Sequence, residues 1–299
     1  LGIRQVDSEI IAIYDADNTP DPDALRYLVA QLILHPDLGA VLGKFRTVNK
    51  NATLLTRFIN IETLGFQSML QAGRWQMHHI ATLPGTNFVM RTALIAELGG
   101  WDEEALTEDS ELSIRIYEHG YRIKYIPYAV TYEQEPQEWA VWIRQRMRWV
   151  RGNNYVIGKF FRHIPHFKNR RLAFDLLYTL ALYYVFFIAI VISDILFAVS
   201  ALSLVSIALP GPYTAVWILA FFLFLGEMLV TLSYDREDTL SNLGLAFLMY
   251  FTYCQLWMYI VIKAWWSDYV RKEKRVWAKT ERFAVGAAEH VKSHGMGAR

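Results

Sequence analysis

The chain has 299 residues, 54% of them hydrophobic, 15% aromatic and 20% charged, with a formal net charge of +1. That apolar content excludes a disordered chain, and the length suffices for two domains or for one domain with a membrane bundle. The near-neutral balance gives no reason to expect a nucleic-acid partner, and the single cysteine, Cys254, excludes an intrachain disulfide and a cysteine-rich zinc site.

The chain opens on Leu1 and enters an apolar run within ten residues, which reads as an N-terminally truncated domain without a signal peptide. Residues 9–14 (EIIAIY) read as a buried parallel strand ending at Asp15. The turn DADNTPDPD leads into a helix for which Asp21 is the expected N-cap and Pro22 the first residue. Leu25, Leu28, Val29, Leu32 and Ile33 follow at helical spacing, and residues 39–46 (GAVLGKFR) read as the next strand. Strand–helix–strand order of this kind marks an open α/β sheet.

Residues 52–72 read as a helix, 86–91 (TNFVMR) as a strand, and Thr92 as the cap of a short helix closed by Gly99-Gly100. A helix from Glu108 to His119 ends at Gly120, and YRIKYI alternates as a half-buried strand does. The first half, residues 1–138, is thus a soluble α/β domain.

Residues 139–172 differ in kind. Trp139, Trp142, Trp149 and Phe160 interleave with basic residues from Arg144 to Arg171, the composition of an amphipathic segment at a membrane interface. Apolar stretches near 174–208, 213–232 and 243–263 suggest a transmembrane bundle over 173–266. A basic tail over 267–299 follows. Positive charge on both flanks places them in the cytoplasm and favours an even number of crossings, four in preference to three.

Three patterns carry chemistry. Asp15 and Asp17, at the carboxyl end of a strand, form a hard oxygen pair suited to Mg²⁺ or Mn²⁺. Taken alone, a solvated acidic turn explains them as well. Thr107-Glu108-Asp109 places carboxylates at a helix start, where one serves as a general base or simply as a capping acid. Gln145-Arg146-Met147-Arg148-Trp149 combines guanidinium forks that match phosphate with an indole face that stacks on a sugar. An interfacial helix is the plainer account of that segment by itself. His290 and His294 read as solvated tail residues, and His78-His79 as loop packing.

In this order, with Thr-Glu-Asp about ninety residues after Asp-Ala-Asp and Gln-x-x-Arg-Trp before the apolar stretches, the motifs resemble processive family 2 glycosyltransferases. Cellulose, chitin, hyaluronan and poly-N-acetylglucosamine synthases belong to that family. Leu83-Pro84-Gly85-Thr86-Asn87 looks like its acceptor and donor-sugar segment.

The resemblance implies a GT-A type, Rossmann-like α/β fold followed by transmembrane helices. It implies an inverting transfer from a UDP-sugar, UDP-glucose or UDP-N-acetylglucosamine, to a β-linked polysaccharide acceptor. It implies Asp109 as general base supported by Glu108, and Asp15 and Asp17 at the metal and diphosphate. Gln145 and Arg148 would hold the diphosphate, with Trp149, Gly85 and Thr86 at the acceptor. A multi-pass plasma-membrane enzyme with a cytoplasmic catalytic domain, and with room for an accessory membrane subunit, is the expected setting. A non-processive transferase acting on a lipid carrier and a silent scaffold are the alternatives.

Overall fold

The computed structural model describes residues 7–167, 169–180 and 213–275, with the short pieces 184–185, 188–189 and 192–193. Most of the first expected span, the break at Pro210-Gly211-Pro212, and His290 and His294 lie outside the described residues.

Five strands form one mixed sheet: β1 (Ile10–Ile13), β2 (Thr19–Pro20), β3 (Leu38–Thr47), β4 (Phe88–Arg91) and β5 (Arg122–Glu133), in the order β1-β4-β3-β5-β2. β3 and β5 pair in parallel and the other three pairings are antiparallel. The expectation of a parallel first strand is therefore corrected, since β1 pairs antiparallel with β4. An unbroken apolar run reports burial on both faces and says nothing about the direction of its neighbour.

Alternation along the central strands builds two cores. Val41 and Val89 face α1 (Ala24–Leu34) with Leu28 and Leu32. Ala40, Leu42, Phe88 and Met90 face the opposite side, where α5 (Glu108–Glu118) contributes Leu112 and Ile116. α4 (Thr92–Glu97) adds Leu94 and Ile95 to that second core. α1 starts two residues later than expected, because the Asp21 N–H is drawn to the Val130 carbonyl at 2.9 Å and continues the β2 edge. Thr92 likewise opens α4 without a side-chain cap. β5 continues to Glu133, well past the alternating YRIKYI, and a register irregularity between its pairings at Tyr125 and Val130 accommodates Pro127.

α2 (Leu54–Gly65) starts on a reciprocal cap: Thr53 Oγ1 accepts from the Thr56 N–H at 3.1 Å, and Thr56 Oγ1 from the Thr53 N–H at 3.0 Å. It runs on as π-type turns over Phe66–Gly73 into α3 (Arg74–His78). The widened turns aim two glutamines inward. Gln67 pairs with the backbone of Phe45 at 2.8 and 2.7 Å, and Gln71 with that of Thr82 at 2.7 and 3.1 Å.

α6 (Trp139–Phe160) is a core helix rather than a surface one. Trp142 and Val150 enter a cluster with Leu55, Ile59 and Leu64 of α2, while Val156 and Phe160 reach the sheet core. Its cations are largely consumed in ion pairs: Arg146 with Glu62, Arg151 with Asp268, and Lys159 with Asp102 and Glu111. Expected as interfacial charges, they tie α6 to its neighbours because a carboxylate lies within reach of each.

A short 3-10 turn (Phe161–His166) leads to α7 (Arg170–Leu180). The apolar helices α8 (Tyr213–Tyr234), α9 (Leu240–Phe251) and α10 (Tyr253–Trp265) close the described chain, with a final π turn over Trp266–Val270. The α8–α9 turn is latched to β3 and α2: Asp235 accepts from Lys44 and, at 2.8 Å, from Arg46, while Glu237 accepts from Lys50 at 2.6 Å and from Asn60 of α2 at 2.8 Å. Among the described residues one segment, Leu240–Val270, is long and apolar enough to cross a membrane, with a mean hydropathy of 1.6. This segment contains the expected 243–263 span and packs along α2 and α6. Arg57 bonds Asn242, Tyr253 and Trp257 donate to Glu62, and Asp268 pairs with Arg151.

Candidate active site

The site gathers at the ends of β1, β4 and α5. Asp15 follows β1 and opens a turn closed by the Asn18 N–H to its carbonyl at 3.0 Å. Thr86 fastens that turn. Its Oγ1 accepts from the Asp15 N–H at 3.0 Å and from Asn18 Nδ2 at 2.6 Å, while Thr86 itself is buried. Asp15 and Asp17 remain exposed on the turn.

Residues 80–87 are held from both sides. Ser113 Oγ of α5 accepts from the Leu83 N–H at 2.9 Å and donates to the Asp109 carbonyl at 2.7 Å. The Tyr117 hydroxyl accepts from the Ala81 N–H at 2.8 Å. Asn87, fully buried at φ 50°, donates to the Lys44 and Ala129 carbonyls at 2.8 and 2.9 Å. Gly43 leaves room for that contact, since a Cβ there would sit 2.5 Å from Asn87 Nδ2 and 2.1 Å from the Ala129 carbonyl oxygen.

Asp109 stands in the first turn of α5, its Oδ1 accepting the Ser110 N–H at 2.7 Å. Gly85 lies against it at φ 85°, where a Cβ would meet Asp109 Oδ2 at 3.2 Å. The Gly85→Ala chain is expected to lose at least tenfold in transfer rate and about 1–2 kcal/mol of stability. The left-handed backbone and the crowded carboxylate both resist a methyl group. A wild-type rate in that variant would show that the close approach is incidental.

Burial pushes the Asp109 carboxyl up to about 7, and the neighbouring Glu108 charge adds to the rise. The Ser110 N–H and the positive charge of Arg148 pull the other way. Arg148, two turns into α6, is thus electrostatically coupled to Asp109. Thr107 packs its side chain against Gly152, where a Cβ would lie 2.5 Å from the threonine methyl, and this contact seats α6 on the start of α5.

The remaining motif residues divide. Gln145 is buried and its Oε1 accepts from Arg146 Nη1 at 2.6 Å. Arg146, 1% exposed, stacks 4.0 Å over the Trp149 ring and donates to Glu62 at 2.5 Å. Glu62 also accepts from Tyr253 at 2.8 Å and Trp257 at 2.6 Å. Thr86, Gly85, Asp109 and the Asp15 turn are therefore brought together, whereas Gln145 and Trp149 belong to a polar hub centred on Arg146 and Glu62. The sequence patterns assigned no site role to Asn18 or Glu62, while Asn87 lay within the segment that resembles the sugar pocket. Asn87 itself adopts φ 50°, a left-handed backbone that asparagine tolerates better than most residues.

Among the described residues no three His, Cys, Asp or Glu side chains converge to hold a metal ion. Two exposed carboxylates on one turn still fit Mg²⁺ or Mn²⁺, which take one or two protein carboxylates and complete their shell with water and phosphate oxygens.

Residues 10–267 match the model of glycosyl transferase family group 2. The chain is 46% identical over 286 residues to the probable glycosyltransferase YdaM of Bacillus subtilis, covering 94% of this chain and 68% of that protein. It is 29% identical over 160 residues to the poly-beta-1,6-N-acetyl-D-glucosamine synthase of Staphylococcus aureus, covering 54% of this chain and 39% of that protein. Among solved structures it is similar to the mannosyltransferase PcManGT of Pyrobaculum calidifontis in complex with GDP-Man and Mn²⁺. The TM-score is 0.51 at 20% identity, over 84% of this chain and 64% of that one. The fold is that of a GT-A-like α/β glycosyltransferase. The chain belongs to glycosyl transferase family group 2.

Proposed function

We propose that this chain transfers a sugar from a UDP-sugar, UDP-glucose or UDP-N-acetylglucosamine, to the hydroxyl end of a growing β-linked polysaccharide, inverting the anomeric centre. The observation that carries this reading is the carboxyl of Asp109, raised to about 7 beside the constricted Gly85 loop. A base of that strength accepts a proton near neutral pH. The acceptor hydroxyl oxygen forms the new bond to the anomeric carbon, the bond from that carbon to the diphosphate breaks, and the hydroxyl proton passes to Asp109. Glu108 keeps the base proton-hungry by its charge.

Asp15 and Asp17 would hold Mg²⁺ or Mn²⁺. When bound, the ion neutralises charge on the departing diphosphate. Arg148, whose positive charge is felt at Asp109, adds a second cation to the site. Residues 1–138 form the catalytic domain, 139–172 carry the Gln-x-x-Arg-Trp segment, and the apolar region 173–266 holds the enzyme to the cytoplasmic face of the cell membrane.

The test is incubation of the purified full-length parent protein, in detergent or nanodiscs, with radiolabelled UDP-sugars and Mg²⁺ or Mn²⁺. The expected result is high-molecular-weight product from one donor, abolished by EDTA. A single sugar added to a lipid would replace the polymerising reading with a non-processive one. No turnover of any donor would leave a silent scaffold.

A further inference from the structure

A cleft of about 320 Å³ lies between the end of α3 and the start of α7, lined by His78, His79, Arg122, Asn169, Arg170 and Arg171. None of these residues belongs to the site around Asp109. The lining contains no carboxylate. Arg122 is engaged by Asp37, and Asp175, further along α7, is taken by Arg74. Among the described residues no carboxylate pairs with Arg170 or Arg171, so at least two positive charges face the cleft uncompensated.

A second cavity of about 470 Å³ shares Arg170 with the first. It is lined mainly by hydrocarbon, from Phe161, Ile164, Phe167, Ala173 and Leu177. Large apolar side chains stand exposed beside the pair of cavities: Met77 at 74%, Phe174 at 58% and Tyr178 at 48%. Phe174 also lies 5.9 Å from the His78 ring, joining the apolar rim to the cationic cleft.

A cleft of cations and amide donors meeting an apolar groove at one arginine is complementary to an amphiphile with a phosphate head. We propose that this surface binds an anionic phospholipid, its phosphate in the His78–Arg170–Arg171 cleft and an acyl chain against Phe161, Phe167 and Leu177. A free phosphate ion satisfies the cleft alone and leaves the groove and its exposed rim without a role. The lipid uses both, and α7 then lies with its Phe174, Leu177 and Tyr178 side in the bilayer surface. The inference rests on the membrane-bound reading above and is independent of which sugar is transferred.

The experiment uses the whole chain in neutral-detergent micelles, titrated separately with short-chain phosphatidylglycerol, short-chain phosphatidylcholine and inorganic phosphate. The unfolding midpoint is followed, because a ligand of the folded state raises it. Phosphatidylglycerol alone is expected to raise the midpoint. In the Arg170→Gln/Arg171→Gln double variant its affinity falls roughly 30-fold, at about 1 kcal/mol for each lost cation. Leu177→Asp, at an exposed position, is expected to weaken the lipid without changing the fold.

An equal response to inorganic phosphate would reduce the site to an anion cleft and overturn the lipid assignment. An equal response to phosphatidylcholine would remove the headgroup from the argument, and undiminished affinity in the double variant would overturn the site itself. Sugar transfer by the same micellar samples separates the two readings, since Asp109→Asn lowers transfer about a thousandfold and leaves the lipid titration intact.

Discussion

Asp109→Asn is expected to lower kcat/KM about 10³-fold, within the range a positioned general base contributes. The pH dependence carries the sharper signature. With the carboxyl raised to about 7, wild-type kcat/KM climbs roughly tenfold per unit up to that pH and levels above it. The residual activity of the variant lacks that limb.

Stability moves the opposite way. The folded carboxyl holds its proton more tightly than the unfolded one, whose pKa is about 3.9. The native state therefore binds more protons between pH 4 and 7, and stability falls as pH rises through that window. Asparagine carries no such charge, so the variant is expected to melt above wild type at pH 8 and level with it at pH 4. An Asp109→Asn protein that retains its rate, or melts lower at pH 8, would remove Asp109 from the role of base. Loss of function with a gain in stability is what a group held in an unfavourable setting for its chemistry predicts.

The second large effect is at Glu62, far from any motif. Glu62→Ala is expected to cost about 3–5 kcal/mol, because it leaves the buried Arg146 guanidinium without its counter-charge. It also orphans the Tyr253 hydroxyl and the Trp257 indole N–H. At 2–4 °C per kcal/mol the midpoint of unfolding drops by about 10 °C. The paired change Glu62→Leu/Arg146→Met removes both charges together and is expected to recover most of that loss. If it does not, the hub is held by packing and the ion pair is incidental. A second readout follows from the 4.0 Å stack of Arg146 on Trp149. The single variant loosens the indole and raises KM for the acceptor more than for the donor.

The α/β class, the Asp15 turn, the Gly85-Thr86 loop and Asp109 were legible because each rests on local patterning or on a motif. Gly99, Gly100 and Gly120 all adopt the positive φ that their places after helices demanded. The direction of β1 was not legible, since pairing depends on a strand some eighty residues away. Nor was the role of Arg146. In a basic, aromatic segment a guanidinium looks like a surface cation, and only the fold brings Glu62 from α2 and Trp257 from α10 to meet it. Gln67 escaped notice for the same reason. It faces β3 only because the helix widens into π turns at Phe66.

The way residues 240–270 are fastened bears on sidedness. A bilayer's hydrocarbon layer is about 30 Å thick, and a segment that traverses it delivers its two ends to different compartments. Here Ser241 and Asn242 are bonded by Arg57, and Asp268 by Arg151 and Asn154, so both ends are moored to one body of protein. Cysteines placed at the exposed neighbours Leu240 and Tyr269 are thus expected to react with an impermeant reagent from the same compartment. Between them Phe247, Phe251, Tyr259 and Ile262 stand exposed and would meet a membrane broadside. Labelling of the two positions from opposite compartments would instead make this stretch a crossing one.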